Sequence, residues 1–146
     1  AKKYSGMPHR SQLVAVKNEV AYINDSKATN VGATVAAINS FAPEYGKKII
    51  LIAGGDAKDA DLSSLKVSIE EHAKKVICFG KDGATIAALG KDKSLMVSGL
   101  EEAVEQAVAS SDAGDCVLLS PACASWDMFK NYIERGEQFE QLVEAL

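Results

Sequence analysis

Six short apolar stretches punctuate this chain, and the segments between them repeat at helical spacing. Residues 12–16 and 20–24, separated by Lys17, Asn18 and Glu19, read as a β-hairpin. Residues 48–53 run with almost no polar alternation, as in a strand covered on both faces. Residues 75–79, 94–97 and 116–119 complete the strands, with 94–97 the weakest pattern. Residues 33–41 carry helical spacing (Val31, Val35, Ile38) and are expected to stop at Pro43 and Gly46. Further helices are predicted over 61–73, 82–89 and 100–109, and over 127–146 with a break near Gly136. Strands alternating with helices of about a dozen residues predict an α/β fold. The expected architecture is a three-layer, doubly wound, Rossmann-like and mostly parallel sheet, with an antiparallel edge strand from the N-terminal hairpin. Residues 1–8 read as an interdomain connector or tail, and residues 9–146 as one domain.

Bulk properties narrow the function classes. A chain of 146 residues is long enough to bury one substantial core. The net charge of −4 gives no electrostatic reason to bind nucleic acid or an anionic membrane. No apolar run approaches the roughly 20 residues that span a bilayer. Cys78, Cys116 and Cys123 form no CxxC pair, and two lie in strand contexts, which points to reduced thiols in a cytoplasmic protein. The chain begins at Ala1 without a methionine, so it is expected to be processed or cut from something larger.

Chemistry concentrates at three strand-to-helix junctions. They are Asn24-Asp-Ser-Lys-Ala-Thr-Asn30, Gly54-Gly-Asp-Ala-Lys58 and Ser120-Pro-Ala-Cys-Ala-Ser-Trp-Asp127. Small residues and hydroxyls in such turns leave backbone N–H groups open at the carboxyl edge of a sheet, where anionic groups are captured. Parallel strands would bring all three to one ligand. Lys27 stands beside a helix N-terminus, with Thr29 or Asn30 as its cap; an anion site and a capped helix with a solvated lysine both fit. Glycines at 54 and 55 allow a ligand close approach with Lys58 at the rim, or simply make a turn. His9-Arg10, ahead of the first strand, offers a phosphate contact or a surface arginine.

Several familiar sites are missing. No GxGxxG follows any strand, and the Gly-Lys pairs at Gly46, Gly80 and Gly90 lack the serine or threonine of a phosphate loop. Two histidines far apart give no zinc site, and His72 reads as a solvated helix end. Cys123 sits where a hydrolase nucleophile would, but without GxSxG glycines its small neighbours suit a packed thiol.

Taken together, Pro8-His-Arg10, the three junctions, Phe79-Gly80, Asp127, Phe129-Lys-Asn131 and Arg135-Gly136 resemble the C-terminal domain of the Mur ligases. Within that family they resemble the branch that adds D-glutamate to UDP-N-acetylmuramoyl-L-alanine in peptidoglycan synthesis. The resemblance spans the chain from Pro8 to the last helix. It implies a cytoplasmic, three-domain ATP-dependent ligase, whose N-terminal domain binds the UDP-sugar and whose central domain carries the phosphate loop. ATP and Mg2+ would be held mainly by that central domain. The C-terminal domain would bind D-glutamate, close over the nucleotide, and be inactive alone.

The resemblance also implies residue roles. Lys27 and Thr29 match residues at the amino acid, Thr29 on its α-carboxylate, and Lys58 and Ser125 match holders of its side-chain carboxylate. Trp126 and Tyr132 fall at the same site, where the family has a leucine and a phenylalanine. His9, Arg10 and Asp25 match positions facing ATP, with Asp25 towards the ribose and Arg10 towards phosphate. No catalytic residue and no metal ligand is assigned. Two other classes stay open at this point: a stand-alone α/β module binding a small anion or nucleotide, and a thiol hydrolase using Cys123.

Overall fold

The computed structural model describes residues 9–125 and 128–146. The expected connector over residues 1–8 lies outside the described residues, as do Trp126 and Asp127. In chain order the elements are β1 (Gln12–Lys17), β2 (Val20–Asn24), α1 (Val31–Tyr45), β3 (Ile49–Gly54), α2 (Ser63–His72) and β4 (Ala73–Phe79). They continue with α3 (Gly83–Gly90), β5 (Ser94–Met96), α4 (Leu100–Ser110), β6 (Cys116–Leu119) and α5 (Tyr132–Glu144). The strands make one sheet in the order β1-β2-β6-β3-β4-β5. All neighbours are parallel except β1 and β2, whose hairpin supplies the expected antiparallel edge.

The unbroken apolar run of β3 follows from its central place. Ile49, Leu51 and Ala53 face a layer built with Ile38, Phe41, Leu65, Ile69 and Ile86 from α1, α2 and α3. Ile50 and Ile52 face the opposite layer, with Leu100 and Val104 of α4 and Phe139 and Val143 of α5. Each such side chain contributes about 1.5–3 kcal/mol on full burial. Alternation along a strand thus feeds two cores, which is why no polar residue interrupts it.

Three departures from expectation have local reasons. Helix α1 runs through Pro43 to Tyr45 and stops at Gly46, the second of the two expected stops. The carbonyl of Asn39, deprived of its N–H partner, lies on an exposed residue where water can serve it, while Phe41 is buried and packs on Tyr45 with ring centroids 6.5 Å apart. Helix α5 starts at Tyr132 instead of near residue 127, because Asn131 caps it by accepting the Glu134 N–H at 2.9 Å. Nor does α5 break at Gly136. A Cβ there would lie 2.3 Å from His9 Nδ1 and 3.0 Å from Asn24 Nδ2, so the glycine permits close helix-to-sheet approach.

Candidate functional site

Strand β6 lies between β2 and β3, so the three junctions identified in the sequence are spatial neighbours along the carboxyl edge. Backbone hydrogen bonds stitch them together. The Asp25 N–H donates to the Leu119 carbonyl at 2.8 Å, and the Gly54 N–H to that of Pro121 at 3.1 Å. The Ala122 N–H donates to the Ala28 carbonyl at 3.1 Å, and Asp56 and Ala124 exchange bonds of 3.0 and 2.9 Å. The glycines of the second junction are required by this closeness. A Cβ on Gly54 would meet the Phe79 carbonyl oxygen at 2.0 Å, and one on Gly55 the Ala124 oxygen at 2.3 Å. Ala122 holds φ at 65°, a left-handed conformation that costs an L-residue roughly 1–2 kcal/mol and persists because its neighbours fix it.

Two cavities open onto this edge. One, of about 200 Å³, is lined by Thr29, Lys58, Ala124, Ser125, Asn131 and Tyr132. It draws on all three junctions and the start of α5, and so brings together four of the residues expected at the amino acid. The second, of about 360 Å³, is lined by Arg10, Ser11, Asp25 and Lys27 against Ala33, Ala36, Ala37 and Ser40 of α1. Lys27 and Tyr132 stand between the two. The Lys27 ammonium donates to the Tyr132 hydroxyl at 3.2 Å and lies 4.8 Å from the ring centroid. Lys58 is carried outward on a left-handed backbone with φ 53°, its N–H donating to Asp56 Oδ1 at 2.9 Å.

The residues expected at the nucleotide separate. Arg10 is exposed and lines the second cavity with Asp25, which is buried. Both oxygens of Asp25 are engaged: one accepts the Ser11 N–H at 2.9 Å, the other the Ser120 hydroxyl at 2.8 Å. Burial raises its pKa, opposed by these bonds and by the Arg10 charge. His9 is not brought to that cavity. Its ring lies buried edge-on to Tyr132, centroids 6.2 Å apart, with Nδ1 3.0 Å from Asn24 Nδ2.

Sequence reading gave no role to the group that holds this edge in place. Arg135 is fully buried in α5. Its Nε donates to Ser26 Oγ at 2.9 Å, Nη2 to the Ser26 carbonyl at 2.8 Å and Nη1 to the Cys123 carbonyl at 3.0 Å. Ser26 in turn donates its hydroxyl to the Tyr132 carbonyl at 2.7 Å. One guanidinium therefore fixes the first junction, the third and the start of α5. The signal was present in the helical spacing, since Tyr132, Arg135, Gly136, Phe139 and Val143 share one face and an arginine on that stripe must be buried.

Other chemistry finds no setting. Cys123 is buried within the apolar layer beneath α1, so the hydrolase reading lacks an accessible thiol. Cys78 and Cys116 are also buried, and burial pushes both thiols up to about 12. A larger cavity of about 590 Å³ at the start of α4 is rimmed by Glu101, Glu102 and Glu105, a poor setting for an anion. Among the described residues no cluster of three or more His, Cys, Asp or Glu side chains could hold a metal ion. No described helix is long and apolar enough to cross a membrane.

Comparison with known proteins supplies the family. Residues 9–123 match the Mur ligase, glutamate ligase domain. The chain is 51% identical over 143 residues to the UDP-N-acetylmuramoylalanine--D-glutamate ligase of Pseudoalteromonas translucida, covering 98% of this chain and 32% of that protein. It is 54% identical over 144 residues to the ligase of the same name from Colwellia psychrerythraea, covering 97% of this chain and 30% of the relative. The chain thus spans about a third of the length of the curated relatives it matches. Its fold is shared with the bifunctional folylpolyglutamate synthase/dihydrofolate synthase of Yersinia pestis, solved with AMPPNP and a Mn ion. The TM-score is 0.64 at 22% identity, covering 94% of this chain and 32% of that one. With the match extending over the whole β-sheet, the first two junctions and the start of the third, the chain belongs to the Mur ligase family, to its glutamate ligase domain.

Proposed function

We propose that the chain is the C-terminal domain of a cytoplasmic ATP-dependent ligase that joins D-glutamate to UDP-N-acetylmuramoyl-L-alanine, and that the 200 Å³ cavity is the D-glutamate site. The observation that carries this reading is the convergence of Thr29, Lys58, Ser125 and Tyr132, drawn from distant parts of the chain, on one cavity. An amino dicarboxylate brings two negative charges and an amine, so its site needs cations, hydroxyl donors and a fixed orientation. Thr29 serves the α-carboxylate, Lys58 and Ser125 the side-chain carboxylate, and Lys27 stands at the boundary with the second cavity. Names of relatives at about half identity support D-glutamate over other amino acids.

In this reading the second cavity faces the nucleotide, with Arg10 towards phosphate and Asp25 towards the ribose. The γ-phosphoryl group of ATP passes to the substrate carboxylate, giving an acyl phosphate and ADP. The D-glutamate amine then attacks the acyl carbon, a C–N bond forms, the C–O bond to phosphate breaks, and the amine gives up a proton. The residues of this domain orient the amine and its carboxylates. The phosphate loop and metal ion belong to another domain, and the chain by itself is inactive.

Steady-state kinetics on the full-length protein carrying this domain provide the test. A carboxylate held by an ammonium or a hydroxyl makes charge-assisted bonds each worth about 1.5–3 kcal/mol. Lys58→Ala should therefore raise the KM for D-glutamate roughly tenfold or more, with a much smaller change for ATP. Ser125→Ala should act in the same direction. Glutamine should be a poor substitute, since it leaves the lysine charge unpaired in a closed site. Unchanged D-glutamate KM and unchanged discrimination in both variants would place the side-chain carboxylate elsewhere.

A further inference from the structure

The contact between Lys27 and Tyr132 fixes the direction of a proton. An ammonium has three donors and no acceptor, so at 3.2 Å the phenol oxygen must accept. The single hydroxyl hydrogen of Tyr132 then has to point away from Lys27. Among the described residues Lys27 is the hydrogen-bond partner of that hydroxyl, and Tyr132 lines the cavity that holds Thr29, Lys58 and Ser125. From this arrangement we infer that the Tyr132 hydroxyl is a further substrate-binding donor, aimed by Lys27 at a carboxylate of the bound amino acid.

Three features make the phenol a fixed donor. Its carbonyl is held by the Ser26 hydroxyl at 2.7 Å, which anchors the first turn of α5. Its ring is packed edge-on by His9 at 78° and covered by the Lys27 ammonium. Accepting a bond from a cation also polarises the O–H and strengthens it as a donor. A phenylalanine at this position keeps the ring and the cation contact but supplies no proton. The tyrosine gives a third donor beside the Lys58 ammonium and the Ser125 hydroxyl, in the lining of the same cavity.

This inference rests on the reading of the cavity as an amino-acid site. Its test is Tyr132→Phe in the full-length protein, with D-glutamate and ATP varied in turn and thermal unfolding recorded alongside. The expected result is a D-glutamate KM raised roughly tenfold, an ATP KM within about twofold, and an unfolding midpoint close to that of the parent. Adding Lys27→Met to Tyr132→Phe should cost less than the two single changes combined, since Lys27 aims the lost proton. A D-glutamate KM unchanged in Tyr132→Phe overturns the inference while leaving the amino-acid site standing. So does a variant in which both KM values and the unfolding midpoint shift together, which marks a packing role. A full-length parent protein that forms no D-glutamyl amide removes the underlying reading and the inference with it, and that result appears before any substitution is made.

Discussion

The turn after β4 and the turn after β6 are built from the same local pattern, a buried strand, a few small or polar residues and then a helix. Their surroundings differ. Among the described residues, the turn after β4 is bonded to the turn after β3: Asp82 accepts the Ala57 N–H at 2.7 Å and donates its own N–H to the Gly55 carbonyl, and the exposed Lys81 lies 3.7 Å from Asp56. The turn after β6, residues 120–125, is buried throughout and bonded to Asp25, Ala28, Asp56 and Arg135. The reason is strand order. β6 is flanked by β2 and β3, each ending in its own polar junction, whereas β4 has β3 on one side and the short β5 on the other. A turn comes to line a cavity through what stands next to it, and the turn after β4 serves as a buttress for the turn carrying Lys58.

The sharpest way to break this contrast is at Arg135. Arg135→Ala strips donors from the Ser26 and Cys123 carbonyls and from the Ser26 hydroxyl, all in the interior. The stability loss should be about 3–5 kcal/mol, measured by denaturant unfolding, and Arg135→Lys should rescue little because an ammonium lacks the planar fork. Lys81→Ala, at the exposed turn, should stay within about 0.5 kcal/mol of the parent in the same experiment. Comparable losses in the two variants would erase the distinction between the turns.

A second test uses glycine. Gly136→Ala should cost about 1–3 kcal/mol despite alanine's higher helix propensity, because the new methyl meets His9 and Asn24. On α1 the matching change, Gly32→Ala, places its Cβ 3.5 Å from Asn30 Oδ1 and should be neutral or stabilising by at most about 1 kcal/mol. Calorimetric unfolding midpoints moving in the same direction would show that α5 approaches the edge less closely than described.

The smallest expected effect is a pH trend. Burial raises the pKa of Asp25 above its ordinary 3.8, so the folded chain binds the extra proton more readily than the unfolded one. The stability this contributes is fully present below pH 3.8 and is lost as pH rises through the folded value. Asp25→Asn lacks that loss. Its deficit relative to the parent should therefore be greatest at the acid end and shrink as pH rises, as read from denaturant unfolding at a series of pH values. A deficit that grows with pH would mean the carboxylate is stabilised as the anion.

Local pattern alone was enough for the sheet, the hairpin edge and the three junctions, because strand and helix periods are written into neighbouring residues. The apolar run over 48–53 reads as a strand covered on both faces, and the helix cap is narrowed to Thr29 or Asn30, of which the fold uses Asn30. Family resemblance then attached Thr29, Lys58, Ser125 and Tyr132 to one ligand, and the fold places all four around one cavity. Only the tertiary structure decided that His9 turns inward, that Gly136 is a point of contact within a continuous helix, and that Arg135 ties two junctions to α5. These depend on which elements come within a few ångströms of each other, and that distance is set by strand order and by helix-to-sheet packing. A proline or glycine in the sequence states what the backbone can do at one position, while the neighbours that exploit it arrive from a hundred residues away.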